Sequence, residues 1–177
     1  MLSYEPHQYP IEQARRTVVR SFMGFGSNSH NKVTGFRANS NRSGTTPAHD
    51  WHNYPAALAQ TVERLRGVVI ENRDAKEVMR AHDGEETLHY VDPPYLPETR
   101  DAGGDYRHEM TVAEHEELAA FLCQLHGMVI VSGYHSSLYD RLFNGWERTE
   151  KAALADGARK RTEVLWMRNV PTNRLNF

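Results

Sequence analysis

Apolar and polar positions divide the chain into alternating helical and extended segments. Pro10 is followed by Ile11, Ala14, Val18, Val19 and Phe22, apolar residues at three- and four-residue steps that predict an amphipathic helix opened by proline. Residues 24–50 are rich in Gly, Ser, Asn and Thr without sustained periodicity and read as a long loop. Tyr54-Pro55 is expected to open a second helix through Leu58, Val62 and Leu65, stopped by Gly67. Residues 68–71 read as a short buried strand and residues 76–81 as a helix. They lead to Thr87-Leu88-His89-Tyr90-Val91, a β-branched and aromatic run that predicts a strand.

Residues 96–110 are charged, hold a Gly pair and read as a mobile lid. Thr111-Val112-Ala113-Glu114 has the spacing of a capping box, opening a helix through Leu118, Phe121, Leu122 and Leu125 with Gly127 as its stop. Residues 128–131 predict another buried strand, and Ser136 begins a short helix to Phe143. Two last strands, 146–152 and 162–168, flank a loop containing Asp156-Gly157. Strands alternating with helices, then a terminal hairpin, predict an α/β fold whose sheet is mostly parallel with one antiparallel strand.

Composition narrows this little. A chain of 177 residues with 39% hydrophobic content is long enough for one core, with apolar content on the low side. No run approaches a membrane span, and the amino terminus lacks a charged-then-apolar signal pattern. Cys123 is the only cysteine, so no intrachain disulfide can form, which fits a cytoplasmic setting. Net charge is only −2, but its distribution is uneven. No acid lies between Glu12 and Asp50, whereas Arg15, Arg16, Arg20, Lys32, Arg37 and Arg42 do. That stretch reads either as a solvated basic loop or as a phosphate-contacting surface.

The densest chemistry is Asp92-Pro93-Pro94-Tyr95, which directly follows a strand. Two prolines fix φ and remove two N–H donors, so the carbonyls face something other than a ladder. Ligands in open α/β sheets sit at the carboxyl ends of strands. The tetrapeptide and its flanks resemble the Dam-like DNA adenine-N6 methyltransferases. Val68-Val69-Ile70-Glu71-Asn72-Arg73-Asp74-Ala75 is similar to that family's strand and turn upstream of the catalytic loop. Val129-Ile130-Val131-Ser132-Gly133-Tyr134 resembles the next core strand, and Arg161-Thr162-Glu163-Val164-Leu165-Trp166-Met167 the closing strand. Arg20-Ser21-Phe22-Met23-Gly24-Phe25-Gly26 and Gly35-Phe36-Arg37-Ala38-Asn39 resemble its target-DNA segment.

The resemblance implies a class I methyltransferase-like, Rossmann-like fold, incomplete at the amino end, where the family's glycine-rich S-adenosylmethionine loop and acidic ribose ligand are expected. It divides the chain into a DNA-target segment, residues 1–66, and the carboxyl part of a catalytic domain, residues 67–177. It implies methyl transfer from S-adenosylmethionine to adenine N6 in double-stranded DNA, in a phage or bacterial modification or restriction-modification setting. Asp92 and the Pro93 carbonyl would accept from the amino group, Pro94 would complete the loop, and Tyr95 would stack on the flipped base. Asn72, Asp74 and Asp92 would approach the cofactor, although Asp74 reads equally as a helix cap. Ser27, Asn28, Lys32, Arg37, Asn39 and Arg42 would contact DNA.

Phe22-Met23-Gly24-Phe25-Gly26 also matches the F-x-G-x-G form of the cofactor loop, but it follows a helical pattern, which favours the DNA-facing assignment. The ten histidines, including His49, His52, His108 and His115, match no zinc spacing and read as surface or capping residues, so no metal is expected. Ser132 with His135 lacks the third group of a hydrolase, and Tyr134 reads as core. Alternative readings are a catalytically incompetent DNA-binding remnant, half of a split enzyme whose partner chain supplies the missing strands, and a methyltransferase for RNA or a protein amide. Aspartate at position 92 and the cationic stretch favour adenine in DNA. Strands beside absent neighbours would leave exposed edges and promote self-association.

Overall fold

A computed structural model of the chain describes residues 8–23, 47–99, 108–155 and 159–171. It separates into two compact units, residues 1–70 and 71–177. In the first, α1 (Pro10–Met23) and α2 (Pro47–Arg64) are the helices among the described residues. They meet through Phe22, which lies edge-on to Trp51 and Tyr54, while those two rings stack on each other. Glu12 bridges Arg15 and Arg16 on the surface of α1, and these bonds hold its carboxyl down to about 2. Two of the cations counted as a basic surface are therefore neutralised within their own helix.

Two expectations fail in this unit. The second helix begins at Pro47, within the expected loop, and runs through Pro55. A proline at the first helical position is pre-set for φ and loses no bond there, so Pro47 is the better start. The expected stop holds, because Gly67 adopts a φ of +79°. Residues 68–71 form no strand, and Val69 and Ile70 are 80% and 83% exposed. Their β-branched side chains favour extended backbone, but a strand exists only against a neighbour, and none pairs with them among the described residues.

The second unit is built on a four-stranded sheet of order β1-β2-β4-β3, with β1 (Leu88–Val91), β2 (Met128–Tyr134), β3 (Glu147–Ala155) and β4 (Arg159–Arg168). β1 and β2 are parallel, and β4 is antiparallel to both of its neighbours, so β4 alone runs against the other three. That is the single reversed strand the terminal hairpin predicts, although both hairpin strands are longer than expected. α3 (Ala75–Ala81), α4 (Val112–Leu122) and α5 (Ser137–Leu142) complete the unit. β2 is buried through its middle five residues, as expected of a strand covered on both faces. Val129, Val131, Val164, Trp166 and Leu122 form the centre of the core. Gly133 leaves room for Tyr139 and Trp166, whose ring atoms stand 3.1 and 3.4 Å from where a Cβ would be.

The capping box at Thr111 and Glu114 forms as predicted, with both reciprocal bonds present. α4, however, ends at Leu122, and Gly127 is not its stop. A Cβ at Gly127 would lie 2.5 Å from the Thr87 carbonyl and 2.8 Å from that of Gly84, so glycine is needed for backbone approach. Beside it, Asp83 accepts from the backbone N–H groups of His126 and Gly127 and meets the rings of His126 and His89. The His126 amide foremost among these holds the Asp83 carboxyl well below the ordinary carboxylate range. This clasp ties the entrances of β1 and β2 together. In the expected lid, Leu96 is core and residues 97–99 form a 3-10 turn. Residues 100–107 and Asp156-Gly157 lie outside the described residues.

Candidate active site

The carboxyl ends of β1 and β2 lie side by side because the two strands are parallel and paired in register to Val91 and Val131. The chain leaves β1 at Asp92, and Pro93 and Pro94 prevent it from pairing further. Pro93 is buried, Asp92 is exposed, and Tyr95 is half-buried. Tyr95 packs edge-on against Tyr134 at the end of β2, ring centres 4.7 Å apart, so Tyr134 stands at the mouth of the motif as well as in the sheet.

A cavity of about 640 Å³ opens beside this corner, within the range of small-ligand sites. Its wall includes Tyr90, Val91, Asp92, Pro93 and Pro94, together with Glu71, Arg73 and the start of α3, and Met110 with Glu114, Glu117 and Leu118 of α4. α3 is fixed to α4 by Lys76–Glu117 at 3.6 Å and by the Arg80 guanidinium over the Phe121 ring. Five carboxylates line the cavity against two cations, Arg73 and Lys76. Arg73 is paired with Glu71 at 2.6 Å and Lys76 with Glu117, so the remaining field is negative. Such a cavity fits a cationic ligand.

The sequence candidates divide on this geometry. Asp92, Pro93, Pro94 and Asp74 share the cavity wall, whereas Asn72 is exposed beside it and Tyr95 does not line it. Asp74 also serves as a helix cap, its Oδ1 accepting from the N–H groups of Lys76 and Glu77. Both readings of that residue thus have a geometric basis, because the cap occupies one oxygen. Ser27, Asn28, Lys32, Arg37, Asn39, Arg42 and the Gly24-Phe25-Gly26 segment lie outside the described residues.

Sequence reasoning missed several residues here. Ser132 donates to Asp92 Oδ1 at 2.8 Å, while His135 meets Asp140 at 3.1 Å, so the two are parted by different partners. His115 and His89 are buried, against the surface expectation; His89 Nε2 meets Asp83 Oδ1, whereas His115 is bonded through Nδ1 and its buried Nε2 has no hydrogen-bond partner among the described residues. His115 Nδ1 lies 2.9 Å from the Tyr139 hydroxyl, and burial pushes its pKa down. Burial, and then the charge of Asp92, push the Tyr139 phenol up, so it stays protonated behind the motif. Among the described residues no group of three His, Cys, Asp or Glu could hold a metal, and no helix is long and apolar enough to cross a membrane.

No curated protein matches the chain. A family model for D12 class N6 adenine-specific DNA methyltransferases matches residues 12–156, which include the cavity, the Asp92-Pro93-Pro94-Tyr95 corner and the whole of β2. With an acid at a strand end, an acidic cavity beside it and a match over most of its length, the chain belongs to the D12 class N6 adenine-specific DNA methyltransferase family.

Proposed function

We propose that adenine-N6 methyl transfer takes place at the Asp92 corner, with S-adenosylmethionine held in the acidic cavity. The observation that carries this reading is the placement of Asp92 and Pro93 on the wall of that cavity, at the carboxyl end of β1. The adenine amino nitrogen is a weak nucleophile because its lone pair is delocalised into the ring. The Asp92 carboxylate and the Pro93 carbonyl accept from its two N–H bonds and localise that lone pair. Asp92 also receives the proton released when the N–C bond forms, and passes it to solvent. Tyr95 stacks on the base once it is rotated out of the duplex, its ring plane supported by Tyr134. S-adenosylmethionine brings a methyl group already activated on sulfur, so the residues here need only bind, orient and stabilise charge. Asp74 and the surplus of carboxylates favour the cationic donor.

The unit up to Ile70 and the cationic stretch with Ser27, Asn28, Lys32, Arg37, Asn39 and Arg42 supply contacts to double-stranded DNA. Exposed Cys123, the one thiol, suits a reducing cytoplasm.

The test is transfer of radiolabelled methyl from S-adenosylmethionine to unmethylated DNA, with Asp92→Ala as control. Transfer is expected to fall on the order of 10²- to 10³-fold in the variant while DNA affinity changes little. Wild-type rates from Asp92→Ala, or no transfer from the folded wild-type chain, would refute the assignment.

A further inference from the structure

We infer that Ser132 is a positioning residue for the Asp92 carboxylate, holding one oxygen so that the other faces the adenine amino group. This rests on the methyl-transfer reading of the Asp92 corner. Asp92 is the first residue past the β1 ladder and is exposed, so its backbone pairing no longer restricts its side chain. Left alone, such a side chain samples several staggered rotamers. β2 extends three residues beyond the Val91–Val131 pair, which brings Ser132 alongside Asp92.

The Ser132 hydroxyl has one proton and two acceptors within reach, Asp92 Oδ1 at 2.8 Å and the Val91 carbonyl at 3.3 Å. The first is the preferred O–H···O distance and the second lies beyond the usual range, so the proton goes to the carboxylate. Ser132 is 5% exposed, on a strand buried on both sides, so the hydroxyl cannot turn to water. A charge-assisted bond from a fixed, dry donor sets the carboxylate plane. Asp92 Oδ2 makes no hydrogen bond among the described residues and is the oxygen left for N6.

A hydrogen bond to a charged group of this kind corresponds to a rate effect of roughly 10- to 100-fold if it acts only through orientation. The experiment compares wild type, Ser132→Ala, Ser132→Thr, Asp92→Asn and the Ser132→Ala/Asp92→Asn pair. Single-turnover methyl transfer is measured together with the dissociation constants for DNA and S-adenosylmethionine. Three-bond NMR couplings of Asp92 report how many χ1 rotamers it samples.

In Ser132→Ala the single-turnover rate should drop about 10- to 100-fold with both dissociation constants within about twofold. The loss should shrink in the Asp92→Asn background, and Ser132→Thr, which keeps the hydroxyl, should restore most of the rate. The Asp92 couplings should show one rotamer in wild type, averaging in Ser132→Ala and one again in Ser132→Thr. A wild-type rate from Ser132→Ala, an equal loss in the Asp92→Asn background, or averaged couplings in wild type would overturn the inference. The couplings need no turnover. One Asp92 rotamer in a wild-type chain that transfers no methyl, averaging in Ser132→Ala, would uphold the positioning role and refute the methyl-transfer reading alone.

Discussion

Gly127→Ala isolates the backbone junction at the entrances of β1 and β2. The new Cβ would stand 2.5 Å from the Thr87 carbonyl oxygen and 2.8 Å from that of Gly84. Carbon and carbonyl oxygen normally meet at about 3.3 Å, so the closer overlap is roughly 0.8 Å. Both obstacles are main chain, with no flexible side chain to yield. The Thr87 carbonyl also accepts from Met128 N at 2.8 Å, the first link between the parallel strands, and any relief of the clash stretches it. Overpacking of this kind costs about 1–3 kcal/mol, and a weakened backbone bond adds about 0.5–1.5 kcal/mol. Together these give about 2–4 kcal/mol, or a fall in Tm of roughly 5–15 °C for a chain of this size. The assay is urea and thermal unfolding followed by tryptophan fluorescence, in which buried Trp166 reports on this unit. Gly84→Ala is the control, since its Cβ would meet only Thr87 Oγ1 at 3.7 Å. It should change stability by less than about 0.5 kcal/mol. Equal stability of Gly127→Ala and wild type would show that the junction is not close-packed and refute the reasoning.

Three further outcomes are expected. Burial lowers the folded-state pKa of His115, while the unfolded imidazole titrates near about 6.5, so the unfolded chain binds the extra proton below that pH. The stability this group contributes is complete above about pH 6.5 and is lost as pH falls toward the folded value, at up to about 1.4 kcal/mol per pH unit. Denaturation at pH 7.5 and 5 should show this limb, and His115→Phe should remove it; Asp83, also depressed, loses its contribution only as pH falls from the ordinary carboxylate value downward. Arg37→Ala should weaken DNA binding across sequences and reduce the salt slope by about one, as read by fluorescence anisotropy at several salt concentrations; an unchanged slope would remove Arg37 from the interface. Finally, Leu88 and Tyr90 on the edge strand β1 are 52% and 60% exposed, so the chain should self-associate with rising concentration and Leu88→Lys should reduce this. Light scattering that shows a concentration-independent monomer would count against it.

Local signals carried most of what was legible in advance. The Thr111–Glu114 capping box, the Ser136 cap and the alternation that ends in a reversed strand each depend on residues close in sequence. The Asp92-Pro93-Pro94-Tyr95 corner was legible because two prolines after a strand leave the backbone few options. What failed depended on distant partners. Residues 68–71 have the composition of a strand, but no ladder forms without a neighbour. Gly127 looked like a helix stop because its true neighbours, Thr87 and Gly84, lie some forty residues earlier. His115 meets Tyr139 and Ser132 meets Asp92, pairings that no periodicity encodes. The acidic cavity wall likewise combines α3 and α4, each an ordinary charged helix when read alone.

The strand order also has a consequence for how the chain comes into being. β4 lies between β2 and β3, and among the described residues β3 pairs with no other strand. A ribosome releases β2 well before β4, so for that interval Val129 and Val131 have their helices and β1 but no neighbour on the other side. β3 then emerges with nothing to join until its hairpin partner follows. Closure of the core waits for Val164, Trp166 and Met167, which arrive last and enter the middle of the sheet. Synthesis that stops after β3 therefore yields a chain with its core open, a partly folded species that closes only once β4 has emerged.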